Sequence, residues 1–360
     1  MAQVNMMQLK SNWVYQNDVR QVAMLPLPWD RLSERTFVIS GATGMIGSFL
    51  IDVLMYRNQH MHQNCEIYAL GRSPEKAQRR FNEYWDNDNF HYTRCDITQS
   101  LHIAGIEQAD YCFHAASNTH PRAYAEDPIG TVLANVYGLK NFLDFAHSHS
   151  CKAFLFASSN EIYGENRGDT DSFSEEYCGY IDCNTLRAGY PESKRVGESL
   201  CQAYIHQKGM NIIIPRFTRS FGPTMLMNDS KAISQFIKNA LTGDDIVLKS
   251  NGKQYYSFTY VADAVSGMLT CLFFGKNGEA YNISNHQCDT TLLDLANLIA
   301  QLASTKVVFE TTTDKTEQSG YSVVTRAILN SSKLQQLGWV PKFNLETSLQ
   351  HTLTILRHVQ

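Results

Sequence analysis

At 360 residues and 43% hydrophobic content, the chain has material for one large α/β unit or two domains. A net charge of −4 provides no footprint for nucleic acid or an anionic membrane, and no apolar run approaches the roughly 18 residues of a membrane span. Nine cysteines, odd in number and without a Cys-x-x-Cys pair, favour reduced thiols in a cytoplasm over a disulfide framework or a metal site. Lys10, Asp18, Arg20, Asp30 and Arg31 interrupt the N-terminal segment, so nothing there reads as a signal peptide.

The first structured element is the apolar run Thr36 to Ser40, read as a buried strand. It meets the turn Gly41-Ala42-Thr43-Gly44-Met45-Ile46-Gly47, which opens a helix carrying Phe49, Leu50, Val53 and Leu54. Glycines spaced three apart between a strand and a helix allow a tight turn, close approach of a pyrophosphate, and close helix–strand packing. The helix N-terminus then offers free N–H groups and a positive dipole end to phosphates. Cys65 to Leu70 is a second strand, followed by a polar helix from about Pro74 to Trp85. Strands follow at Asp110–His114, Ala153–Ala157 and Met210–Pro215, alternating with helices at Thr131–His147 and Ala188–His206. This alternation predicts a Rossmann-type, doubly wound parallel sheet. Beyond Gly222 the pattern loosens into helices near Ser230–Leu241, Val261–Phe274 and Thr291–Leu302, with short strands at Ile246–Leu248, Ala280–Ile283 and Val307–Phe309. The expected organisation is an N-terminal extension over 1–34, a dinucleotide-binding domain over 35–222, and a smaller α/β substrate lobe over 223–360 whose segments can return to the first domain. The acidic stretch Glu165–Asp182 reads as a surface loop or a lid.

Tyr190 and Lys194 stand four residues apart, on one face of a helix. A nearby ammonium stabilises tyrosinate, so Tyr190 is expected to have a lowered pKa and to take a proton from a hydroxyl while hydride leaves the same carbon. The segment Ala157-Ser158-Ser159-Asn160-Glu161-Ile162-Tyr163-Gly164 ends a core strand at the sheet edge where such folds bind ligands.

These elements, together with Phe221-Gly222-Pro223, Ser257 to Asp263 and Leu337-Gly338-Trp339-Val340-Pro341, resemble the extended short-chain dehydrogenase/reductases, in their nucleotide-sugar epimerase/dehydratase branch. The resemblance runs from Arg35 to the C-terminus. It implies Ser159, Tyr190 and Lys194 as the reacting trio. It also implies cofactor contacts from Gly41, Thr43, Gly44, Met45, Ile46, Gly47, Asp96, Ile97, Ala115, Ala116, Ser117 and Pro215, with Lys194 on the nicotinamide ribose. Members that use NAD end the second strand in an acid; here it ends Leu70-Gly71-Arg72, so NAD(P) is expected with NADP favoured, Arg72 pairing with a 2′-phosphate.

The implied substrate is a UDP-, dTDP-, CDP- or GDP-linked sugar, oxidised at carbon 4. The fate of the 4-keto sugar depends on further groups. Glu161 retains the carboxylate of the dehydratases and decarboxylases, whereas Asn160 cannot donate a carboxylic proton. Thr224 stands where the decarboxylases have arginine. Arg219 replaces a common asparagine, Tyr256 a common arginine, and Arg326 matches a pyrophosphate-binding arginine. These are the expected substrate contacts. Elimination or decarboxylation is the leading expectation; 4-epimerisation, NADPH-dependent keto-sugar reduction and a non-catalytic regulatory module are the alternatives. The resemblance also implies a homodimer pairing the helices 131–147 and 188–206, with Leu200, Cys201 and Tyr204 on the second.

Overall fold

The computed structural model describes residues 6–119, 121–310 and 324–359. Its central feature is an all-parallel sheet. The strands are β1 (Thr36–Ser40), β2 (Glu66–Gly71), β3 (Phe90–Arg94), β4 (Tyr111–His114), β5 (Ala153–Phe156), β6 (Ser158–Ser159) and β7 (Ile212–Phe217). Short strands come next: β8 (Arg219–Phe221), β9 (Ile246–Leu248), β10 (Tyr255–Tyr256), β11 (Phe258–Tyr260), β12 (Ala280–Ile283), β13 (Thr290–Thr291), β14 (Val307–Phe309) and β15 (Arg326–Ala327). The order across the large sheet is β12-β7-β5-β4-β1-β2-β3, with β6 extending the β5 line beside β7. The order reverses between β1 and β4, which places the ligand crevice of such sheets at their carboxyl ends.

Alternation along these strands feeds two cores, one on each face. Phe37, Ile39, Phe113 and Leu155 enter one; Val38, Cys112, Phe154 and Phe156 enter the other. Helices α1 (Trp13–Ala23), α2 (Met45–Met61), α3 (Pro74–Phe81), α4 (Pro121–Glu126), α5 (Pro128–Ser148), α6 (Gly189–Lys208), α7 (Ala232–Thr242), α8 (Val261–Phe274) and α9 (Leu292–Ala303), and a last helix Leu345–His358, surround the sheets. α3 is shorter than the predicted 74–85 helix, its end tightening into a 3₁₀ turn at Asn82–Tyr84.

Two elements depart from the simple two-lobe division. Ala280–Ile283 lies in the main sheet, parallel to β7, with α8 packed on the same unit. The N-terminal segment is integral to the fold. Asn12 caps α1 by accepting from the amides of Val14 and Tyr15. Tyr15 and Arg80 both hydrogen-bond the buried Asp52 carboxylate. Buried Asp18 accepts from the Tyr260 hydroxyl at 2.6 Å and pairs with His351 Nδ1 at 3.0 Å, joining α1 to β11 and the last helix.

Candidate active site

The glycine turn sits where β1 ends. Gly41 has φ +70°, and a Cβ there would lie 2.6 Å from the Ala115 carbonyl carbon, so only glycine lets the two strand ends pass. A Cβ on Gly47 would lie 2.6 Å from the Gly41 oxygen, which fixes α2 close under the turn. Gly44 caps α2 with no side-chain bond, leaving the first amides of a 17-residue helix directed at the crevice.

At the far end of the crevice, a hydrogen-bonded chain holds β6. Ser158 donates to Glu198 at 2.5 Å, and Arg216 forks onto Glu198 at 2.9 and 2.6 Å. Arg216 also donates to the Tyr163 hydroxyl at 2.9 Å, which donates to Asn282 at 2.6 Å. Ser159 is thereby fixed, and its Oγ accepts from the Glu161 amide at 3.2 Å to cap the turn Asn160–Tyr163. Lys194 donates Nζ to the Ala157 carbonyl at 2.7 Å. Burial lowers its ammonium to about 8.

Tyr190 differs from expectation. Burial is the main cause and the Glu161 charge the next; together they push its phenol well above the ordinary tyrosine value. Hydrogen bonding to Ser159, the Arg187 charge and hydrogen bonding to Tyr124 oppose the shift without reversing it. Lys194 does not provide the expected lowering, because its Nζ is turned to the Ala157 carbonyl and stands 5.9 Å from the Tyr190 ring centroid.

A cavity of about 1030 Å³ joins the two ends. Gly41, Thr43, Gly44, Met45, Ile46, Gly47, Arg72, Asp96, Ile97, Ala115, Ala116 and Ser117 line it toward the glycine turn. Ser159, Asn160, Glu161, Tyr190, Lys194, Arg219 and Tyr256 line it on the other side. Asp96 accepts from the Thr98 amide and hydroxyl at 3.0 and 2.8 Å, so its carboxyl is held below the usual range mainly by Thr98.

Three expected contacts lie elsewhere. Pro215 is interior to β7 and outside the lining. Thr224 is fully buried and donates to the Met45 carbonyl at 3.0 Å, so it ties the following loop to the glycine turn rather than facing a substrate. Arg326 is exposed and drawn to Asp171, with Nη2 to Oδ1 at 3.1 Å. Two residues not singled out from sequence stand at the centre. Arg187 donates Nη2 to Glu161 at 2.6 Å. Tyr124 stacks on Tyr190, centroids 4.7 Å apart at 25°. Neither has a periodic pattern to reveal it: Arg187 lies in the 3₁₀ turn Leu186–Ala188, and Tyr124 in a six-residue helix. Among the described residues no His, Cys, Asp or Glu cluster could hold a metal ion. No helix among them is long and apolar enough to cross a membrane.

The glycine-bounded crevice, the free helix N-terminus and the long cavity ending at Ser159, Tyr190 and Lys194 fit a nicotinamide dinucleotide. Fold and site together define a dinucleotide-dependent enzyme of the Rossmann class. Residues 37–284 match the model of the NAD dependent epimerase/dehydratase family. UDP-glucuronic acid decarboxylase 1 of Xenopus tropicalis is 32% identical over 326 residues, 90% of this chain and 72% of the relative. UDP-glucuronic acid decarboxylase 3 of Arabidopsis thaliana is 30% identical over 315 residues, covering 87% and 86%. The fold is also that of a Bacillus cereus UDP-glucuronic acid 4-epimerase solved with UDP-glucuronic acid and NAD, with TM-score 0.75, 20% identity, and 90% and 100% of the two chains covered. The chain belongs to the NAD dependent epimerase/dehydratase family.

Proposed function

We propose that this protein oxidises a uridine-diphosphate sugar at carbon 4 and then releases carbon dioxide from the 4-keto sugar. The observation that carries this reading is the single cavity shared by the glycine turn, the Ser159–Tyr190–Lys194 trio and the Glu161–Arg187 pair. Relatives matched over most of their length are UDP-glucuronic acid decarboxylases. An oxidised nicotinamide bound here would supply the hydride acceptor, and its positive ring would favour the tyrosinate that Lys194, turned to the Ala157 carbonyl, does not.

Ser159 and Tyr190 flank the position of the carbon 4 oxygen. Ser159 orients the hydroxyl, and Tyr190 takes its proton as hydride leaves. Tyr124, stacked on Tyr190, shields this transfer from water. The new carbonyl is β to a carboxylate on carbon 5, so the bond to that carboxylate breaks with its electrons drawn to the carbon 4 oxygen. Ser159 and the now-protonated Tyr190 hold the resulting enolate through hydrogen bonds. Carbon 5 then gains a proton from water, and carbon 4 would regain the hydride it gave up while Tyr190 returns the proton to its oxygen. Water elimination needs a carboxylic acid beside Glu161, and Asn160 carries no such proton. Epimerisation is the second reading, favoured by Thr224, which stands where the decarboxylases have arginine and hydrogen-bonds inward to the Met45 carbonyl.

Exposed Arg72 and neighbouring Lys76 line the cavity beyond β2, and this favours NADP over NAD. The exposed apolar residues Ile129, Leu133 and Tyr137 on α5 and Val196 on α6 favour a homodimer through these helices; Cys201 is buried in the core and takes no part. Nine free cysteines are in keeping with work in a cytoplasm. The dinucleotide half is assigned to 35–222 and the sugar half mainly to 223–360. Incubation with a panel of nucleotide sugars, read by product mass, tests the proposal: loss of carbon dioxide supports it, loss of water replaces it with dehydration, and unchanged mass with a new stereocentre replaces it with epimerisation.

A further inference from the structure

Two guanidinium groups at the sugar end of the cavity have more donors than partners. Arg187 gives one nitrogen to Glu161, but its Nε and Nη1 are buried with no partner among the described residues. The Arg219 guanidinium stands over Tyr256, 3.5 Å from the ring centroid, and its Nη1 is buried and has no partner among the described residues either. Arg187 and Glu161 are both close enough to Arg219 to act on its charge. The patch therefore sets two cations against one carboxylate. Buried donors and charges left unpaired are unfavourable, so the patch is completed by one further anion.

Its position identifies that anion. The Tyr124 ring stacks on Tyr190 and also carries the Arg187 guanidinium 4.8 Å from its centroid. Arg187 is thus one aromatic ring away from the phenol that handles carbon 4. The group on carbon 5 is the neighbour of that carbon, whereas the diphosphate leaves carbon 1 on the opposite side of the sugar. Thr224, turned to the Met45 carbonyl, offers nothing to this group.

We infer that Arg187 and Arg219 form a socket for the carboxylate on carbon 5 and are the residues that select an acidic sugar over a neutral one. The inference rests on the nucleotide-sugar reading above. Guanidinium forks match the two oxygens of a planar carboxylate, and a neutral hexose leaves them unpaired.

Calorimetric titration of the full-length chain with UDP-glucuronate, UDP-glucose and UDP, with reduced nicotinamide dinucleotide present so that no hydride is accepted and no turnover occurs, tests the socket. The parent should bind UDP-glucuronate roughly a hundredfold more tightly than UDP-glucose. Arg187→Gln and Arg219→Asn should each bring that ratio below about fivefold while leaving UDP affinity unchanged, with Arg187→Lys intermediate. Unchanged melting curves confirm folding, and Glu161→Gln combined with Arg187→Gln preserves the charge balance if the single variant unfolds. Equal affinities for the two sugars in the parent overturn the socket, as does a loss of UDP affinity in step with UDP-glucuronate, which makes these arginines diphosphate contacts. Binding of none of the three ligands by the parent overturns the nucleotide-sugar reading itself, and the socket with it.

Discussion

Replacing Lys194 by methionine should stabilise the fold while removing turnover. Lys194 is 3% exposed, and burial lowers its ammonium from 10.5 to about 8. At pH 7 the folded and unfolded chains both carry the proton, so the folded state bears the full penalty of burying a charge. A depression of this size corresponds to about 3 kcal/mol. Methionine fills comparable volume without charge. It leaves the Ala157 carbonyl without its 2.7 Å donor, which costs about 1 kcal/mol. The net expectation is a gain of about 2 kcal/mol at pH 7. Between pH 8 and 10.5 the unfolded parent binds a proton that the folded parent does not, so parental stability climbs with pH. The advantage of the variant therefore shrinks across that window and gives way, toward its upper end, to a deficit of about 1 kcal/mol from the lost hydrogen bond. Urea unfolding of Lys194→Met and parent at pH 7 and near pH 10, followed by tryptophan fluorescence, measures both terms. A variant less stable than the parent at pH 7, or a difference that does not change with pH, would show that burial of the ammonium is not costly.

Tyr190→Phe should lower turnover by roughly 10²–10⁴ with an unchanged melting curve, the usual size of a lost acid–base group; near-normal turnover removes the mechanism. The parent should bind NADP more tightly than NAD, and Arg72→Ala should level or reverse this in a calorimetric titration; equal affinities in the parent leave Arg72 without that role. Light scattering at micromolar concentration should give a dimer, and Leu133→Glu a monomer, since Leu133 lies in the exposed stripe of α5; a monomeric parent refutes the pairing.

Much of the fold is legible because strands buried on both faces leave continuous apolar runs, as at Thr36–Ser40 and Ala153–Phe156. β3 is not legible: Phe90-His91-Tyr92-Thr93-Arg94 is an edge strand, half-buried and polar, so its apolar signal is weak. α1 lies in a stretch read for its charges, and the last helix in one to which no element is assigned from sequence, although Tyr15, Asp18 and His351 bind them to the core. At the site, spacing reveals the pair that helical geometry fixes, Tyr190 and Lys194. It says nothing of direction. Thr224 turns inward to Met45, Arg326 outward to Asp171, and Lys194 to a carbonyl rather than the phenol. Arg187 is invisible to periodicity because its partner, Glu161, is 26 residues away in another turn.

Chemistry that begins by oxidation at carbon 4 and ends with loss of the carboxylate leaves an isotopic signature. UDP-glucuronate deuterated at carbon 4 tests both steps at once in a single mass spectrum of the product. The expected product is lighter by carbon dioxide and keeps the deuterium on carbon 4, since hydride leaves and returns at that carbon. A product that retains the carboxylate, or one that has lost carbon dioxide with the label washed out to solvent, would contradict this sequence of steps.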